Sequence, residues 1–460
     1  MEYHDPGSAP APGLGLSVPQ RATPHLRRLR SRRVALAASD FAIQEWIHLV
    51  EDPGDGLVCS VVAIGSGKKE LWIRRFSTEM LLSGGLDQLN PVHWTTVSDD
   101  QQGSGPYLVN DTWHIYAHGC HWLTYSGNPP DASEQDVWLT LAQVVELDGK
   151  WKVVRRFDLK PALNNYADPA TPASLAEGND ALIIPLPTGL AVGVRSLYGP
   201  GLSFLHFSLT GSDDPAGWDY VQYTHSSYVG GPFQSQSGTP ATRIDVGSAG
   251  YLRDYMLALP LPPGWQKAVE LLGPQGLDTA ADADIRHFAV GTDLWLDPTG
   301  GPVNWPNVMT LVRGDGYVTP AGAAGKYHLA MPTLVTLDTG AFAPSSPAPA
   351  LHTGRWRLLT YRAVQVPQVN EDAGQIHRRV YACEPSPPAW VDTDSWRLVS
   401  AEVVQASGDQ NPNGANRPHV VRWGNRVVTA YASGPTDRGC WVVLDDIVWA
   451  RAASGLGGGL

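Results

Sequence analysis

Short hairpins recur along this chain, and their recurrence constrains the fold more than any other feature of the sequence. Residues 416–434 read as an alternating strand, a turn at Gly424-Asn425 and a second alternating strand, and residues 105–119 repeat this order with a turn expected at Asn110-Asp111. Gly, Asn and Asp tolerate the positive φ angles of tight hairpin turns. Weaker copies occupy residues 181–194 and 242–259. Such repetition predicts a β-propeller.

The remaining pattern predicts an all-β protein. About twenty segments show strand periodicity, which suffices for five four-stranded antiparallel blades, or for six. A content of 48 Gly and 38 Pro in 460 residues suits many short strands joined by turns. Only residues 136–145 and 264–272 show helical spacing, and both segments are short.

Charge divides the chain into an arm and a body. Residues 1–37 hold six arginines against Glu2 and Asp5, a net charge of +4. Because the whole chain has a net charge of −12, the remaining residues carry −16. Residues 9–24 are rich in Pro, Gly and Ala and cannot bury a core alone. We therefore expect an extended N-terminal arm over residues 1–37, a propeller over 38–453 and a Gly-rich tail over 454–460.

The basic cluster in this arm predicts a docking function. It consists of Arg27, Arg28, Arg30, Arg32 and Arg33. Such a cluster engages phosphate, an acidic lipid face or an acidic protein surface, so we expect it to attach the propeller to a larger protein assembly. A solvated, disordered tail is the alternative. The acidic body argues against nucleic-acid binding, and the sequence leaves a homo-oligomer open.

The sequence also bears on location. No apolar run approaches the roughly 18–20 residues that span a bilayer, so we expect no membrane insertion. The N-terminus lacks the charged, apolar and small-residue order of a secretory signal. This fits a virion protein, extracellular after lysis, or a cytoplasmic protein if the origin is not viral. Four widely spaced cysteines indicate reduced, mostly buried thiols.

Two patterns are candidates for metal ligands. In His118-Gly119-Cys120-His121, a strand would place His118 and Cys120 on one face and His121 on the other, so only part of the cluster would converge. Loop carboxylates suited to Ca²⁺ are Asp213, Asp214, Asp282 and Asp284, for which solvated acidic loops are the alternative. The sequence predicts no other cofactor.

Aromatic residues in turn-rich segments predict a ligand-binding surface. They are Trp218, Tyr220, Tyr228, Phe233, Trp295 and Trp305. Loop Trp and Tyr stack on the apolar faces of sugar rings, and loops on a rigid scaffold are where binding is usually found. Tryptophans within the strand-like segments are interpreted as packing between blades.

The cadence of a proline, a short strand, a polar turn and a strand ending in Tyr-Ala or Val-Gly resembles the blades of five-bladed propeller glycosidases, the arabinanase, xylosidase and invertase group. This resemblance implies an acidic trio in the central cavity: a base or nucleophile, an Asp that modulates a pKa and a general-acid Glu. The matching positions are Glu177 for the acid, with Asp5 and Asp297, each followed by Pro, for the other two.

The order of these acids favours a binding protein over an enzyme. Asp5 lies on the expected arm, and Asp297 follows Glu177, which departs from the order in that group. We therefore expect no catalytic residues and a non-catalytic propeller, a virion-associated or other assembly component whose loops face a protein partner or a glycan, including a cell-surface glycan. The alternative is a propeller glycoside hydrolase that cleaves a polysaccharide with paired carboxylates.

Overall fold

The computed structural model of the chain describes residues 22–34, 43–65, 68–83, 95–96, 108–128, 138–158, 182–186, 189–195, 202–209, 218–219, 255–258, 268–273, 282–291, 307–337, 356–367, 374–382, 396–406, 409, 414–433 and 439–451. These residues form strands and one short helix, α1 (Thr78–Ser83). Within these ranges no helix is long and apolar enough to cross a membrane.

The strands group into antiparallel sets of four. The first strand, β1 (Ala22–Val34), belongs to the last set. The first set contains β2 (Ile43–Glu51), β3 (Leu57–Gly65), β4 (Lys68–Phe76) and β5 (Thr95–Thr96). The second contains β6 (Leu108–Ala117), β7 (Cys120–Asn128), β8 (Trp138–Leu147) and β9 (Lys150–Asp158). A single parallel pairing, between Lys69 and Leu108, joins these two sets.

The other sets follow in chain order. The third contains β10 (Leu182–Leu186), β11 (Gly189–Arg195), β12 (Leu202–Leu209) and β13 (Trp218–Asp219). The fourth contains β14 (Tyr255–Ala258), β15 (Ala268–Gly273), β16 (Ile285–Gly291) and β17 (Asn307–Val312). After a hairpin of β18 (Tyr317–Val318) and β19 (Ala324–Gly325), the fifth contains β20 (Tyr327–Thr336), β21 (Trp356–Gln365), β22 (Gln375–Ala382) and β23 (Arg397–Val404). The last combines β24 (Ala415–Trp423), β25 (Arg426–Ser433) and β26 (Gly439–Arg451) with β1.

The leading strands of the sets contact one another in a closed ring. Strand β2 contacts β6, β6 contacts β10, β10 contacts β14, β14 contacts β20, β20 contacts β24, and β24 contacts β2. Four-stranded antiparallel sheets arranged around such a ring form a β-propeller. The expected all-β propeller is therefore confirmed, and its described strands fall into six sets.

The apolar core lies between neighbouring sets. Val58 and Ile73 of the first set pack in one cluster with Leu123 and Val144 of the second. A separate cluster joins the first set to the last, and two more join the fifth set to the last. Burying one such side chain stabilises the fold by about 1.5–3 kcal/mol. Strand tryptophans such as Trp122, which is fully buried, have the packing role expected of them.

The N-terminal segment is not a free arm over its whole expected length. Strand β1 pairs with β26 from Ala22 opposite Arg451 to Val34 opposite Cys440, and it completes the last set. Val34 is fully buried between the first and last sets. An outer strand can be rich in arginine because the stems cover apolar surface while the charged heads stay in water. The boundary expected at residue 37 therefore does not hold, whereas residues 1–21 and 454–460 lie outside the described residues.

The hairpins expected at residues 416–434 and 105–119 differ in outcome. The expected turn at Gly424-Asn425 joins β24 to β25, with a φ of +57° at its glycine. The expected turn at Asn110-Asp111 is wrong, because these residues lie in β6, where the register with β7 shifts after Val109. The turn lies instead at His118-Gly119, with φ angles of +53° and +76°.

Candidate functional site

The six leading strands form the innermost ring of the propeller and are called the innermost strands. They are poor in carboxylates and carry histidines. Strands β10, β14, β20 and β24 contain no Asp or Glu, and β2 and β6 contain only Glu45, Glu51 and Asp111. Four of these strands carry a histidine: His48 on β2, His114 on β6, His328 on β20 and His419 on β24. The candidate site is therefore built around imidazoles.

A chain of hydrogen bonds joins Asp52, His121 and His114 across the first two sets. Nε2 of His121 lies 3.2 Å from Oδ2 of Asp52, and Nε2 of His114 lies 3.0 Å from Nδ1 of His121. Because a carboxylate only accepts, His121 carries its proton on Nε2, and its Nδ1 accepts from the Nε2–H of His114. Nδ1 of His114 keeps a buried lone pair that has no partner among the described residues.

Two donors fix the carboxylate at the end of this chain. The N–H of Gly54 donates to Oδ1 of Asp52 at 2.7 Å, and Nη1 of Arg75 lies 2.5 Å from Oδ2. Arg75 also donates from Nε to Glu146 of the second set at 2.6 Å. Burial raises the pKa of Asp52, but the Gly54 N–H, Arg75 and His121 together lower it below its ordinary value. Asp52 is therefore ionised at neutral pH.

The imidazoles of the chain are neutral at the same pH. Burial lowers the pKa of His121 to about 4, although Asp52 acts in the opposite direction. Burial also lowers the pKa of His114 well below its ordinary value, and His121 and His419 add to this effect. A neutral imidazole nitrogen with a lone pair accepts a hydroxyl or amide proton. The chain therefore ends in a neutral, buried acceptor.

One tryptophan and two further histidines form an aromatic cluster on the strands of the first, second and last sets. The ring of His48 lies 4.8 Å from Trp113 and 4.7 Å from His419. Nδ1 of His419 accepts the N–H of Leu49 at 3.1 Å, which leaves its ring proton on Nε2. Burial lowers the pKa of His419 as well. Since β24 belongs to the last set and β2 and β6 to the first two, these side chains gather where the ring closes.

Two imidazole lone pairs of this arrangement are engaged within the protein. The Nδ1 lone pairs of His121 and His419 already accept hydrogen bonds. No three His, Cys, Asp or Glu side chains in the described part of the chain converge as metal ligands. Glycoside hydrolysis generally uses two carboxylates about 5–9.5 Å apart. The carboxylate of Asp52 accepts hydrogen bonds from Gly54, Arg75 and His121 within the protein.

A second buried network lies in the fifth set. Nε of Arg379 donates to the Tyr361 hydroxyl at 2.9 Å, and this hydroxyl lies 2.7 Å from that of Tyr317. The Tyr317 hydroxyl lies 2.6 Å from Nδ1 of His377, whose Nε2 lies 3.1 Å from Oε1 of Gln375. Burial, with Arg379, lowers the pKa of His377 to about 4. Every member has a partner, so the network holds the β18–β19 hairpin to the fifth set.

Most of the predicted catalytic and ligand-binding residues lie outside the described residues. They are Glu177, Asp297, Asp5, Tyr220, Tyr228, Phe233, Trp295 and Trp305. Trp218 is described as part of β13, where it lies opposite Leu209 of β12. The catalytic and sugar-stacking roles of all these residues stay predictions.

The predicted cluster around Cys120 does not converge on a metal ion. His118 lies in the turn between β6 and β7. Sγ of Cys120 lies 2.9 Å from Nε2 of Gln143. His121 belongs to the hydrogen-bond chain with Asp52. His118 therefore does not share a strand face with Cys120 as expected, and strand alternation separates Cys120 from His121.

Two of the four candidate Ca²⁺ ligands contact protein groups. Oδ1 of Asp284 accepts the N–H of Gly314 at 2.8 Å, and Oδ1 of Asp282 lies 3.7 Å from Nζ of Lys326. Residues 213–214 lie outside the described part of the chain. A role of these carboxylates in binding Ca²⁺ stays a prediction.

The arginines predicted to dock a partner belong to strand β1. Nε of Arg28 donates to Oδ1 of Asp445 at 2.8 Å, and Asp445 also accepts from Nη1 of Arg378, in the fifth set, at 2.7 Å. Arg27 pairs with Asp446 at 2.9 Å. Arg28 thus joins β1 to the body of the propeller. Attachment of a larger assembly through this segment stays a prediction.

Sequence reasoning missed Asp52, His48, His114 and His419. One signal pointed to two of them, because the two hairpins with the same residue order lead the second and last sets, and each carries a histidine on its first strand. The contact between Asp52 and His121 joins residues 69 positions apart, which no local pattern indicates.

The chain was compared with known protein families, curated proteins and solved structures. No family model matches the chain, and no curated protein matches its sequence. Similar solved structures include a Trypanosoma rangeli sialidase in complex with 2,3-difluorosialic acid, at 11% identity and a TM-score of 0.48 over 91% of this chain and 59% of that chain. An endo-arabinase from Bacteroides thetaiotaomicron has 11% identity and a TM-score of 0.35 over 72% of this chain and 90% of its own. The BT0996 RGII complex has 11% identity and a TM-score of 0.38 over 93% of this chain and 94% of its own.

These names agree with the resemblance to propeller glycosidases noted in the sequence. The chain spans 59% of the length of the sialidase chain. The fold itself is established by the strand order and by the closed ring of contacts between leading strands.

Proposed function

We propose that this protein is a β-propeller that binds a carbohydrate without hydrolysing it. The observation that carries the proposal is the composition of the innermost strands, four of which contain no Asp or Glu. Glycosidases of the paired-carboxylate class need two acids around one bond. Imidazole, indole and amide groups instead offer hydrogen bonds and stacking surfaces to an uncharged polyhydroxyl ligand.

Two of the described carboxylates near these strands, Asp52 and Asp409, support a binding role. Asp52 is held by Gly54, Arg75 and His121. Asp409 accepts from the hydroxyl of Tyr431 and from Oγ of Ser433, each at 2.9 Å. A general acid or nucleophile must reach the substrate, whereas these acceptors are occupied by the protein.

The loop aromatics are the proposed sugar platform. Indole and phenol rings present rigid apolar faces to a pyranose at low entropic cost. Trp305 lies in a turn-rich segment on which a loop of the propeller is expected, and Trp218 begins β13, the short outer strand of the third set. We propose that these two side chains stack on the ligand.

Calorimetric titration with neutral oligosaccharides tests the proposal. Trp218→Ala and Trp305→Ala should each weaken binding about tenfold, which corresponds to about 1.4 kcal/mol of stacking free energy. Leu398→Ala is the matched control, because this side chain is 44% exposed on a strand of the fifth set. Absence of binding to all oligosaccharides, or equal losses in the three variants, would contradict the proposal.

A further inference from the structure

The last strand set is strongly basic within an acidic protein. Its four strands contain nine arginines against Asp445 and Asp446, an excess of seven positive charges, whereas the whole chain has a net charge of −12. Asp445 is shared with Arg378 of the fifth set. The excess of formal positive charge therefore belongs to a single set of the ring.

Three of these arginines share one side of the outer strand. Arg27, Arg30 and Arg32 lie opposite positions 446, 444 and 442 of β26, and alternate residues of a strand point to the same side. Arg27 and Arg30 are three positions apart, and the register shift between Arg28 and Arg30 places them on the same side of the strand. Val442 and Leu444 belong to the core between the first and last sets. The arginine row therefore lies along the outer rim of the seam between these two sets.

The row is accessible from solvent. The side chain of Arg27 is 68% exposed, Arg32 is exposed and Arg30 is half-buried. The three arginines lie opposite alternate residues of β26, and residues two positions apart on a strand are about 7 Å apart, so the row presents regularly spaced guanidinium groups. Strand β1 is also the last strand of its sheet, and its outer backbone edge adds hydrogen-bond donors.

We infer that this arginine row binds an acidic polysaccharide. Guanidinium groups donate paired hydrogen bonds to sulfate or carboxylate oxygens, and a regular row matches the repeating anions of a linear glycan. Strand β1 contains no Phe, Tyr or Trp on which bases would stack, which favours a polysaccharide over single-stranded nucleic acid. The inference rests on the proposed function only in that the ligand is a carbohydrate; the surface is separate from the loop aromatics.

Heparin binding to the full-length protein, measured by calorimetry at several salt concentrations, tests this inference. We expect affinity to fall with salt because condensed counterions are released on binding. The triple substitution Arg27→Gln, Arg30→Gln and Arg32→Gln should weaken binding at least tenfold and flatten the salt dependence. The matched control is Lys150→Gln, Lys152→Gln and Arg155→Gln, which removes the same charge from β9, the outer strand of the second set. It should change affinity less than twofold.

The charge-retaining triple substitution of the same three arginines by Lys should keep the salt dependence and lose less affinity than the Gln variant, because lysine keeps the charge but not the paired hydrogen bonds. If the triple Gln variant fails to fold, Arg30→Gln with Arg32→Gln replaces it, with thermal melting as the folding check. Equal losses in the β1 and β9 variants, or wild-type protein that does not bind heparin, would overturn the inference. Binding of a DNA oligonucleotide as tight as that of heparin, with the same dependence on the arginine row, would overturn the choice of a polysaccharide. Neutral oligosaccharide binding that persists while heparin binding is absent would leave the proposed function standing.

Discussion

Asp445 holds the closing strand β1 to the rest of the ring, and its replacement by Asn tests that role. Its carboxylate is fully buried and accepts from Arg28 at 2.8 Å and from Arg378 at 2.7 Å. Asp445→Asn keeps the shape of the side chain but removes its charge and turns one acceptor atom into a donor. That donor would face a guanidinium group, so both bonds cannot survive.

The expected loss follows from what each arginine keeps. The side chain of Arg378 is 1% exposed and, among the residues that the structure describes, retains Glu402 as its charged partner, at 2.6 Å; the side chain of Glu402 is 44% exposed. Removing one partner of a buried pair costs about 3–5 kcal/mol, and Glu402 offsets part of this, so we expect Asp445→Asn to lower the free energy of unfolding by about 3 kcal/mol. Arg28→Met should cost about 1 kcal/mol, because Arg28 is 31% exposed and its charge is screened by water.

Urea unfolding followed by tryptophan fluorescence measures both values. Arg378→Met in the Asp445→Asn background should restore part of the loss, because it removes the unpaired buried charge. A loss below about 0.5 kcal/mol for Asp445→Asn, the range of an ordinary surface substitution, would refute the role assigned to this carboxylate.

Three further predictions follow from the same structure. The pKa of His377 is about 4 in the fold, against an ordinary 6.5. Below pH 6.5 the unfolded chain therefore binds more protons at His377 than the folded chain does. The free energy of unfolding should drop by about 2 kcal/mol between pH 8 and pH 5 because of this residue. If urea unfolding of His377→Gln shows the same dependence on pH as the wild type, the assignment to His377 is wrong. A chain lacking residues 1–34 should show no cooperative melting because β1 is lost, whereas a chain lacking residues 1–21 should melt like the full-length protein; cooperative melting of the shorter chain would mean that β1 is dispensable. Gly56→Ala should cost more than about 2 kcal/mol in urea unfolding, since φ is +76° and the new Cβ would lie 2.0 Å from the carbonyl oxygen of Phe76, whereas Gly149→Ala, at φ +73° with no atom within 4 Å, should cost about 1 kcal/mol; equal losses would contradict this reasoning.

Local turn chemistry predicted part of this fold. Gly424-Asn425 is a turn as expected, because tight hairpins need the positive φ angles that these residues tolerate. Asn110-Asp111 has the same local chemistry but lies in β6, where pairing with β7 buries Thr112 and Trp113. Turn residues alone do not show which of two nearby turns the chain will use.

Helical spacing in short segments was also a poor guide. Residues 136–145 lie largely in β8 and residues 264–272 partly in β15. In β8, Leu141 and Val144 are buried against neighbouring strands. Cross-strand pairing and burial between two sets therefore override the local period.

Long-range pairing accounts for the features that the sequence did not predict. The Arg-rich segment before residue 37 has the composition of a free arm, but its partner strand lies more than 400 positions away, as in the pair of Arg27 and Asp446, which are 419 positions apart. The site shows the same limit of local reasoning. The rings of His48 and His419, which lie 4.7 Å apart, meet only because the ring of strand sets closes.

Simultaneous measurement of binding and turnover tests most directly whether this propeller binds carbohydrate without cleaving it. The full-length protein would be titrated in a calorimeter with each member of a panel of polysaccharides. NMR of the same sample would then count newly formed reducing ends. We predict saturable binding heat with no reducing ends above the protein-free control. Release of reducing ends that Glu177→Gln abolishes would contradict a binding-only function and establish a glycoside hydrolase.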